Sequence, residues 1–443
     1  MKIQLSDHFG YTRLIRFTIP SIVMMIFTSI YGMVDGYFVS NCVGKTEFAA
    51  LNLIWPFPMI LGAIGFMIGS GGTALISKTL GEGDKARANG LFSMLVYFAL
   101  GIGIILDIIG MSVMRPVARL LGASGEMLEF AVAYGNIIMA FMPTFMLQVS
   151  FQSFMIAAEK PTLGLIVTLV SGFTNIILDW LLIGVLGYGL EAAAIATVAS
   201  QIVGSVWPLI YFSVRNSSLL RLGGRPIIDF KALAKTCTNG ISELISNLAV
   251  SLMSMVYNLQ LIRICGEDGV AAFGVIMYVA ILYLAVYFGY TMGVMPVIAY
   301  HYGAGNKKEL HNLKRRSLIL LSCAAIVLTS AAILMSGWIA RIFTGYDEAL
   351  CKMSERAFAL YSVGFLGSWF NVFASSFFTA LNDGKTSGII SFSRMFGFQL
   401  IAVLLLPLIL GLDGVWLAMP AAELCSAIVS ATFLIRNKKV YGY

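Results

Sequence analysis

Long runs of apolar residues alternate with short polar stretches along most of this 443-residue chain. An α-helix needs about 20 residues to cross a bilayer, and each run is near or above that length. We therefore predict twelve membrane-spanning helices at roughly 14–40, 47–76, 89–113, 127–157, 162–186, 191–213, 236–262, 269–300, 315–339, 350–380, 387–410 and 414–435. The longer runs predict tilt, kinks or extension beyond the bilayer.

The longest hydrophilic break, residues 214–235, lies near the middle of the chain. It predicts an N-terminal six-helix bundle at 1–214, a cytoplasmic linker at 215–235 and a C-terminal six-helix bundle at 236–443. Throughout, the N-terminal bundle is called the N-half and the C-terminal bundle the C-half.

The two halves resemble each other in sequence. A shift of 222 residues pairs "LGEGDK" (80–85) with "YGAGNK" (302–307), and "GLEAA" (189–193) with "GLDGV" (411–415). Because each half has an even number of helices, both insert with the same orientation, as in the parallel repeats of some secondary transporters. The predicted fold is therefore all-α, with two pseudo-twofold-related bundles forming a V around a central cavity. In the paired "G-x-G" loops, the glycines predict tight turns with positive φ rather than phosphate binding.

Composition and charge agree with a membrane protein. Hydrophobic residues make up 59% of the chain and charged residues only 12%, against about 25% charged in soluble domains. With the N-terminus inside, the inner segments carry 21 Lys and Arg, including Lys2 and Arg225, and the outer segments carry 6. This asymmetry predicts a multi-pass protein of the plasma (inner) membrane with both termini cytoplasmic. The net charge of +7 thus reflects membrane orientation, and we expect no nucleic-acid partner.

Signals for enzymatic chemistry are missing from the sequence. It contains no G-x-x-x-x-G-K-[ST] and no C-x-x-C, and its three His residues form no metal-ligand pair. We predict that the protein is not an enzyme and has no cofactor, and we expect a monomer.

Ionisable residues at membrane depth are functional candidates by default. Asn175 and Asp179 in "NIILD" are four residues apart and share one helix face, with Gly172 allowing another helix to approach there. Asp35 in "MVDGYFVS" stands alone on the first helix, where Pro20 makes its depth uncertain. Alternatively, Asn175 and Asp179 only brace the bundle, and Asp35 lies at the outer interface.

The repeat favours a functional role for these acids. The 222-residue shift places Tyr257 opposite Asp35 and Ile401 opposite Asp179, so the fold does not require carboxylates there. The C-half carries a different pair, Glu243 and Arg394. Desolvation and like charge both favour proton uptake by such acids. With Asn175 and Thr197, the same oxygens suit Na⁺, and the sequence does not separate the two ions.

Substrate contacts are predicted from polar residues in the helices and from the 23 Met and many aromatic side chains, which favour promiscuous and organic-cation binding. Most Met and aromatic residues of such a chain nevertheless face lipid or pack helices. The substrate-cavity candidates are Gln148, Gln152, Gln201, Glu243, Asn258 and Arg394.

The ordered motifs "MVDGYFVS", "LGEGD", "NIILDWLLI" and "GLEAAAIATVASQ" resemble the multidrug and toxic-compound extrusion (MATE) family, most closely its DinF/MepA-like prokaryotic branch. The resemblance covers the whole chain. It implies an antiporter that expels lipophilic, often cationic compounds in exchange for H⁺ or Na⁺. It also implies a cation site at Asp35, Asn175, Asp179 and Thr197, and bending of the first helix at Pro20. Glu243 is similar to the helix-seven acid of the NorM-like branch, which uses acids in its C-terminal half. The helix-ten region here offers Asn371 and no carboxylate, which departs from a complete NorM-type site.

Two other functions compete with drug antiport. A flippase of lipid-linked oligosaccharides would be expected to have more helices and an Arg-rich cavity, whereas this chain has mainly Arg394 in its helices. An intramembrane enzyme or a passive channel has no supporting constellation or pore motif.

Overall fold

The computed structural model describes residues 3–223, 227–345 and 347–443, and it is helical without any strand in these ranges. Lys2, Arg225 and part of the predicted linker lie outside the described residues. The helices are α1 Tyr11–Cys42, α2 Lys45–Ile54, α3 Pro56–Gly81, α4 Lys85–Leu120, α5 Gly125–Met139, α6 Met142–Ala157, α7 Pro161–Asp179, α8 Leu190–Ser213, α9 Phe230–Cys265, α10 Glu267–Gly303, α11 Lys307–Thr344, α12 Glu348–Ser362, α13 Phe365–Ala380, α14 Gly384–Phe392, α15 Leu400–Leu410, α16 Leu412–Arg436 and α17 Lys438–Tyr441.

Ten helical stretches of the described chain are long and apolar enough to cross a membrane. Two bent pairs bring the number to twelve if each pair is one span: α5 with α6, at 55°, and α12 with α13, at 41°. The prediction of an all-α membrane protein is therefore confirmed. The apolar pattern did not show the breaks, because both arms of each bent pair remain apolar.

Corresponding helices of the two halves begin at the same spacing as the sequence repeat. Helix α4 begins at Lys85 and α11 at Lys307, 222 residues later. Helix α8 begins at Leu190 and α16 at Leu412, again 222 residues later. The duplication read from short motifs therefore extends to the positions of whole helices.

The paired "G-x-G" loops are tight turns that end in helix caps. Gly83 and Gly305 have φ values of +89° and +66°, a region that residues with a Cβ rarely adopt. The side chain of Asp84 accepts a hydrogen bond from the Arg87 N–H, and Asn306 accepts one from the Glu309 N–H. The predicted turns are confirmed, and the caps satisfy N–H groups that a helix start leaves free.

The linker is shorter than predicted. Helix α9 begins at Phe230, so residues 230–235 are helical rather than linker. Asp229 caps this helix by accepting hydrogen bonds from the N–H groups of Lys231 and Ala232, each at 3.0 Å. These bonds, first that of Ala232, hold the pKa of Asp229 below its usual value, with help from Arg87. A capping Asp can begin a helix in a stretch that a hydropathy pattern assigns to a loop.

The two halves meet along glycines at the end of the bundle that carries the N-terminal segment. A Cβ added to Gly71 on α3 would collide with the Thr236 carbonyl on α9, and one on Gly240 would collide with Met67. Closer to that end, Gly81 packs against Tyr300 and Gly303 against Lys78 in the same way. We call these contacts the glycine seam. The Asn382 amide adds a hydrogen bond across it to the Ala74 carbonyl, at 3.2 Å.

Enlarging a seam glycine is expected to weaken the closure between the halves. Gly240→Val places two methyl groups where the backbone of Met67 lies, and such overpacking costs roughly 1–3 kcal/mol. Ser70 Oγ lies 3.9 Å from Met295 Sδ across the halves. A disulfide between Ser70→Cys and Met295→Cys, in a background without native cysteines, should therefore form more slowly in Gly240→Val.

The matched control for this experiment is Gly101→Val. A Cβ at Gly101 meets nothing within 4 Å, so this variant should cross-link at the parental rate. Equal cross-linking in Gly240→Val and in the parent would contradict the role assigned to the seam.

Candidate functional site

Helices α1 and α7 pack closely in the N-half, and this contact builds the candidate site. Gly172 on α7 has no side chain where the Phe27 ring and Tyr31 of α1 lie against it. The Phe27 ring also packs on Phe173, with ring centroids 5.3 Å apart. The close approach predicted for Gly172 is therefore to α1, the helix that carries Asp35.

This packing brings Asp35, Asn175 and Asp179 together. Asp179 has no exposed surface and Asn175 is 1% exposed, and the Asp35 carboxyl faces both of them closely enough to interact. The Oδ1 atoms of Asp35 and Asn175 and both carboxyl oxygens of Asp179 are shielded from solvent and accept no hydrogen bond from the described residues. We call these three residues the acid cluster.

A buried oxygen without a donor is unfavourable. Two ionised carboxylates can only accept hydrogen bonds, so neither satisfies the other. A proton on one carboxyl would create a donor toward the second, and a small cation would satisfy several of these oxygens at once. The described ion pairs include neither Asp35 nor Asp179. Among the described residues, the acid cluster therefore has no cationic partner.

Two tyrosines extend the acid cluster. Tyr134 on α5 is buried and close enough to both Asp35 and Asp179 to feel their charges, and Tyr31 lies near Asp35. Neither tyrosine was predicted as a site residue, because a tyrosine in an apolar run has no sequence signature that separates a site residue from a packing residue. At the equivalent position in the C-half, Tyr257 stacks on Phe273 with centroids 4.8 Å apart. The C-half thus has an aromatic pair, Tyr257 and Phe273, at the position that corresponds to Asp35.

Asp179 is also the last α-helical residue of α7. The six residues after it, Trp180–Val185, form a π-helical turn. The C-half has a π-helical segment at Ser393–Gln399, on the corresponding span, and it carries Arg394. Such turns are often found at functional sites, and here each adjoins a buried charged residue.

The other N-half candidates make no described hydrogen bond to the acid cluster. Thr197 is half-buried on α8, and its side chain makes no described hydrogen bond to the cluster. Gln148 donates to Ser171 Oγ at 2.9 Å and lines a small cleft with Gln152. Gln201 is buried, and its Oε1 has no partner among the described residues. Pro20 lies within the continuous helix α1.

The C-half contains a buried polar network centred on Glu423. Arg394 Nε donates to Glu423 Oε1 at 2.8 Å, and Ser368 Oγ donates to the same oxygen at 3.0 Å. Asn371 Nδ2 donates to Oε2 at 2.7 Å, and Ser430 Oγ donates to the Asn371 carbonyl oxygen at 2.7 Å. All five residues are buried, and both carboxylate oxygens of Glu423 are satisfied.

This network adds Glu423 to the two C-half charges named from the sequence, Glu243 and Arg394. The direct ion pair of Arg394 is with Glu423. Glu243 and Arg394 do line one small cleft together with Ser246, Ser375 and other hydroxyl-bearing residues. Asn258 is half-buried on α9 and makes no described side-chain hydrogen bond. Sequence separation carries no information on which acid meets Arg394.

Taken together, the duplicated helical bundles and the intramembrane acid cluster define a polytopic membrane protein on the plan of secondary transporters. The chain belongs to the MatE family, whose family model matches residues 20–181 and 244–405, one stretch in each half. The resemblance to MATE proteins noted from the motifs is confirmed.

Relatives of known name cover nearly the whole chain. The multidrug export protein MepA of Staphylococcus aureus is 24% identical over 434 residues, covering 97% of this chain and 94% of MepA. MepA of Staphylococcus saprophyticus is 25% identical over 440 residues, covering 96% and 94%.

The fold is shared with solved MATE structures. An outward-facing multidrug resistance MATE family transporter superposes with a TM-score of 0.92 at 22% identity, covering 98% of this chain and 97% of that one. A MOP superfamily transporter from Pyrococcus furiosus gives 0.91 at 21% identity and covers 98% of each chain.

Proposed function

We propose that this protein is a secondary active multidrug efflux antiporter that exports lipophilic, often cationic compounds in exchange for H⁺ or Na⁺. The observation that carries the proposal is the acid cluster, in which buried oxygens of Asp35, Asn175 and Asp179 accept no hydrogen bond and neither acid has an ion-pair partner among the described residues. A site that must take up a proton or cation to be satisfied is suited to coupling. MepA relatives named as multidrug exporters support the choice of substrate class.

Alternating access follows from the two-half plan. In the described state the halves are closed at the glycine seam, on the end that carries the N-terminal segment. If the termini are cytoplasmic, as the Lys and Arg distribution predicts, this state is closed to the inside. Uptake of an ion at the acid cluster from outside would then precede reorganisation of α1 against α7, and release inside would reset the transporter. Thr197 lies on α8, a helix that packs against α7, and would join the site as a further oxygen ligand.

Flipping of a lipid-linked oligosaccharide has less support. Within the described residues, Arg394 is the only buried Lys or Arg, and its charge is paired with Glu423. A pyrophosphate-bearing lipid would need free guanidinium groups in the cavity. Arg394 offers at most its remaining N–H groups.

Transport in proteoliposomes tests the proposal. Purified full-length protein is reconstituted with an ethidium-like dye, and a proton or sodium gradient is imposed in separate arms. In at least one arm we expect the dye to move against its own gradient. In that arm, an ionophore for the coupling ion should abolish the dye movement. Movement of dye only down its gradient, in every arm, would overturn the antiport assignment.

A further inference from the structure

The end of the bundle that carries the N-terminal segment has a dense basic patch formed by two segments distant in sequence. The first is the start of α11, and the second is the end of α16 with α17. The cationic residues concerned are Lys307, Lys308, Lys314, Arg315, Arg436, Lys438 and Lys439. We call these residues the basic patch. None of them takes part in an ion pair among the described residues.

Contacts with the C-terminal segment hold the basic patch in place. The Lys314 ammonium lies 4.3 Å from the centroid of the Tyr443 ring, and the side chain of Lys307 packs against Gly442. Tyr443 is buried and donates a hydrogen bond to the Leu434 carbonyl at 3.1 Å. Tyr441 donates to Asp383 Oδ2 at 2.9 Å, which ties the segment to α14. Lys307 and Lys314 of α11 therefore contact a C-terminal segment that is itself tied to α14 and α16.

Like charges at this site are close together and uncompensated. Lys438 lies near enough to Lys314 to act on it electrostatically. The nearby acids are engaged elsewhere, since Glu309 is buried and accepts from His8 and from the Phe9 N–H, and Asp383 holds Tyr441. A close group of cations with no ion-pair partner among the described residues can bind a negative ligand from outside the chain.

The position of the basic patch identifies the source of that ligand. Ile319 is 40% exposed and lies four residues after Arg315, or about 6 Å along the helix. Ile435 is 74% exposed beside Arg436, and Val440 is 73% exposed beside Lys439. Exposed apolar side chains next to cations mark the boundary between acyl chains and headgroups.

The equivalent place in the N-half is different. Helix α4 begins with Lys85 and Arg87, and Arg87 lies 3.4 Å from Asp229 in an ion pair. Membrane orientation requires Lys and Arg on one side of the bilayer, but it does not require them to converge in one half. We propose that the basic patch binds the phosphate headgroup of an anionic glycerophospholipid.

Binding is tested with purified full-length protein in zwitterionic detergent. Short-chain phosphatidylglycerol or phosphatidylcholine is titrated, and the thermal unfolding shift and the lipid count in native mass spectrometry are measured. We expect phosphatidylglycerol to bind about tenfold more tightly than phosphatidylcholine, and this preference should weaken at high salt. The triple variant K307Q/K314Q/K438Q should lose the preference, and K307R/K314R/K438R should keep it.

The matched control neutralises three exposed lysines of the same face in or near the N-half, K85Q/K231Q/K235Q, and should bind as the parent does. Equal affinity of the parent for the two lipids would overturn the proposal, as would equal loss of preference in both Gln variants. Millimolar inorganic phosphate is added in a further arm. Displacement of phosphatidylglycerol by free phosphate would assign the site to a soluble anion instead. Because the readouts do not involve transport, failure here leaves the antiport proposal unaffected.

Discussion

Replacing Asp179 by Asn is expected to reduce gradient-driven transport to the level of protein-free vesicles. Asn keeps the size of the side chain but can neither ionise nor release a proton, so the acid cluster would no longer change its charge. Asp35→Asn should give the same result, and the double variant should be no worse than either single one, because the two carboxyls act as a unit. Efflux in proteoliposomes with an imposed gradient measures this.

Folding should survive these substitutions. Removal of one of two adjacent buried carboxylates relieves repulsion, so the thermal stability of Asp179→Asn should equal or exceed that of the parent. Asp107→Asn is the matched control, since Asp107 lies half-exposed on α4 away from the cluster, and its transport should be normal. Full gradient-driven efflux in both Asp35→Asn and Asp179→Asn would refute the coupling site.

The second large effect is expected at the buried ion pair of the C-half. Arg394→Met leaves the buried Glu423 carboxyl without its cationic partner, with Asn371 and Ser368 as its remaining side-chain donors among the described residues. Removal of one partner of a buried pair typically costs about 3–5 kcal/mol. Thermal or denaturant unfolding in detergent should therefore show a marked loss of stability.

Two comparisons distinguish this effect from a simple loss of charge. Adding Glu423→Gln to Arg394→Met removes the unpaired carboxylate and should restore most of the stability. Arg356→Met breaks an exposed pair with Asp413, in which the arginine side chain is 70% exposed, and should cost about 1 kcal/mol or less. If Arg394→Met and Arg356→Met prove equally stable, the network around Glu423 does not stabilise the C-half.

Much of the fold was predictable because the spanning helices of a membrane protein appear in its sequence as long apolar runs. Twelve apolar runs and one repeated offset gave the helices and their duplication, and Gly83 and Gly305 identified the turns from their backbone preference alone. Kinks were expected in the longer runs, but their positions were not predictable, since the run around Pro143 near the start of α6 stays apolar on both sides. The start of α9 depended on a single capping residue, Asp229.

The candidate site was predictable only where its members share a helix face. The spacing of Asn175 and Asp179 placed them together, whereas the partner of Arg394 was decided by the packing of α16 against the π-helical segment, and the sequence did not predict that this partner is Glu423. Tyr134 was missed for the same reason. Contacts between helices depend on three-dimensional packing that no period in a single sequence encodes.

The glycine seam bears on how fast the two halves can separate. Where large side chains interlock, separation requires many rotamers to change together and leaves apolar hollows on both surfaces. At Gly71, Gly81, Gly240 and Gly303, backbone lies against backbone. Separation there requires few rotamer changes, and little side-chain entropy is recovered. The two surfaces of the glycine seam can therefore separate with little side-chain rearrangement. Its two faces can part and meet again in the same register, and fidelity of closure comes from shape rather than from strong adhesion.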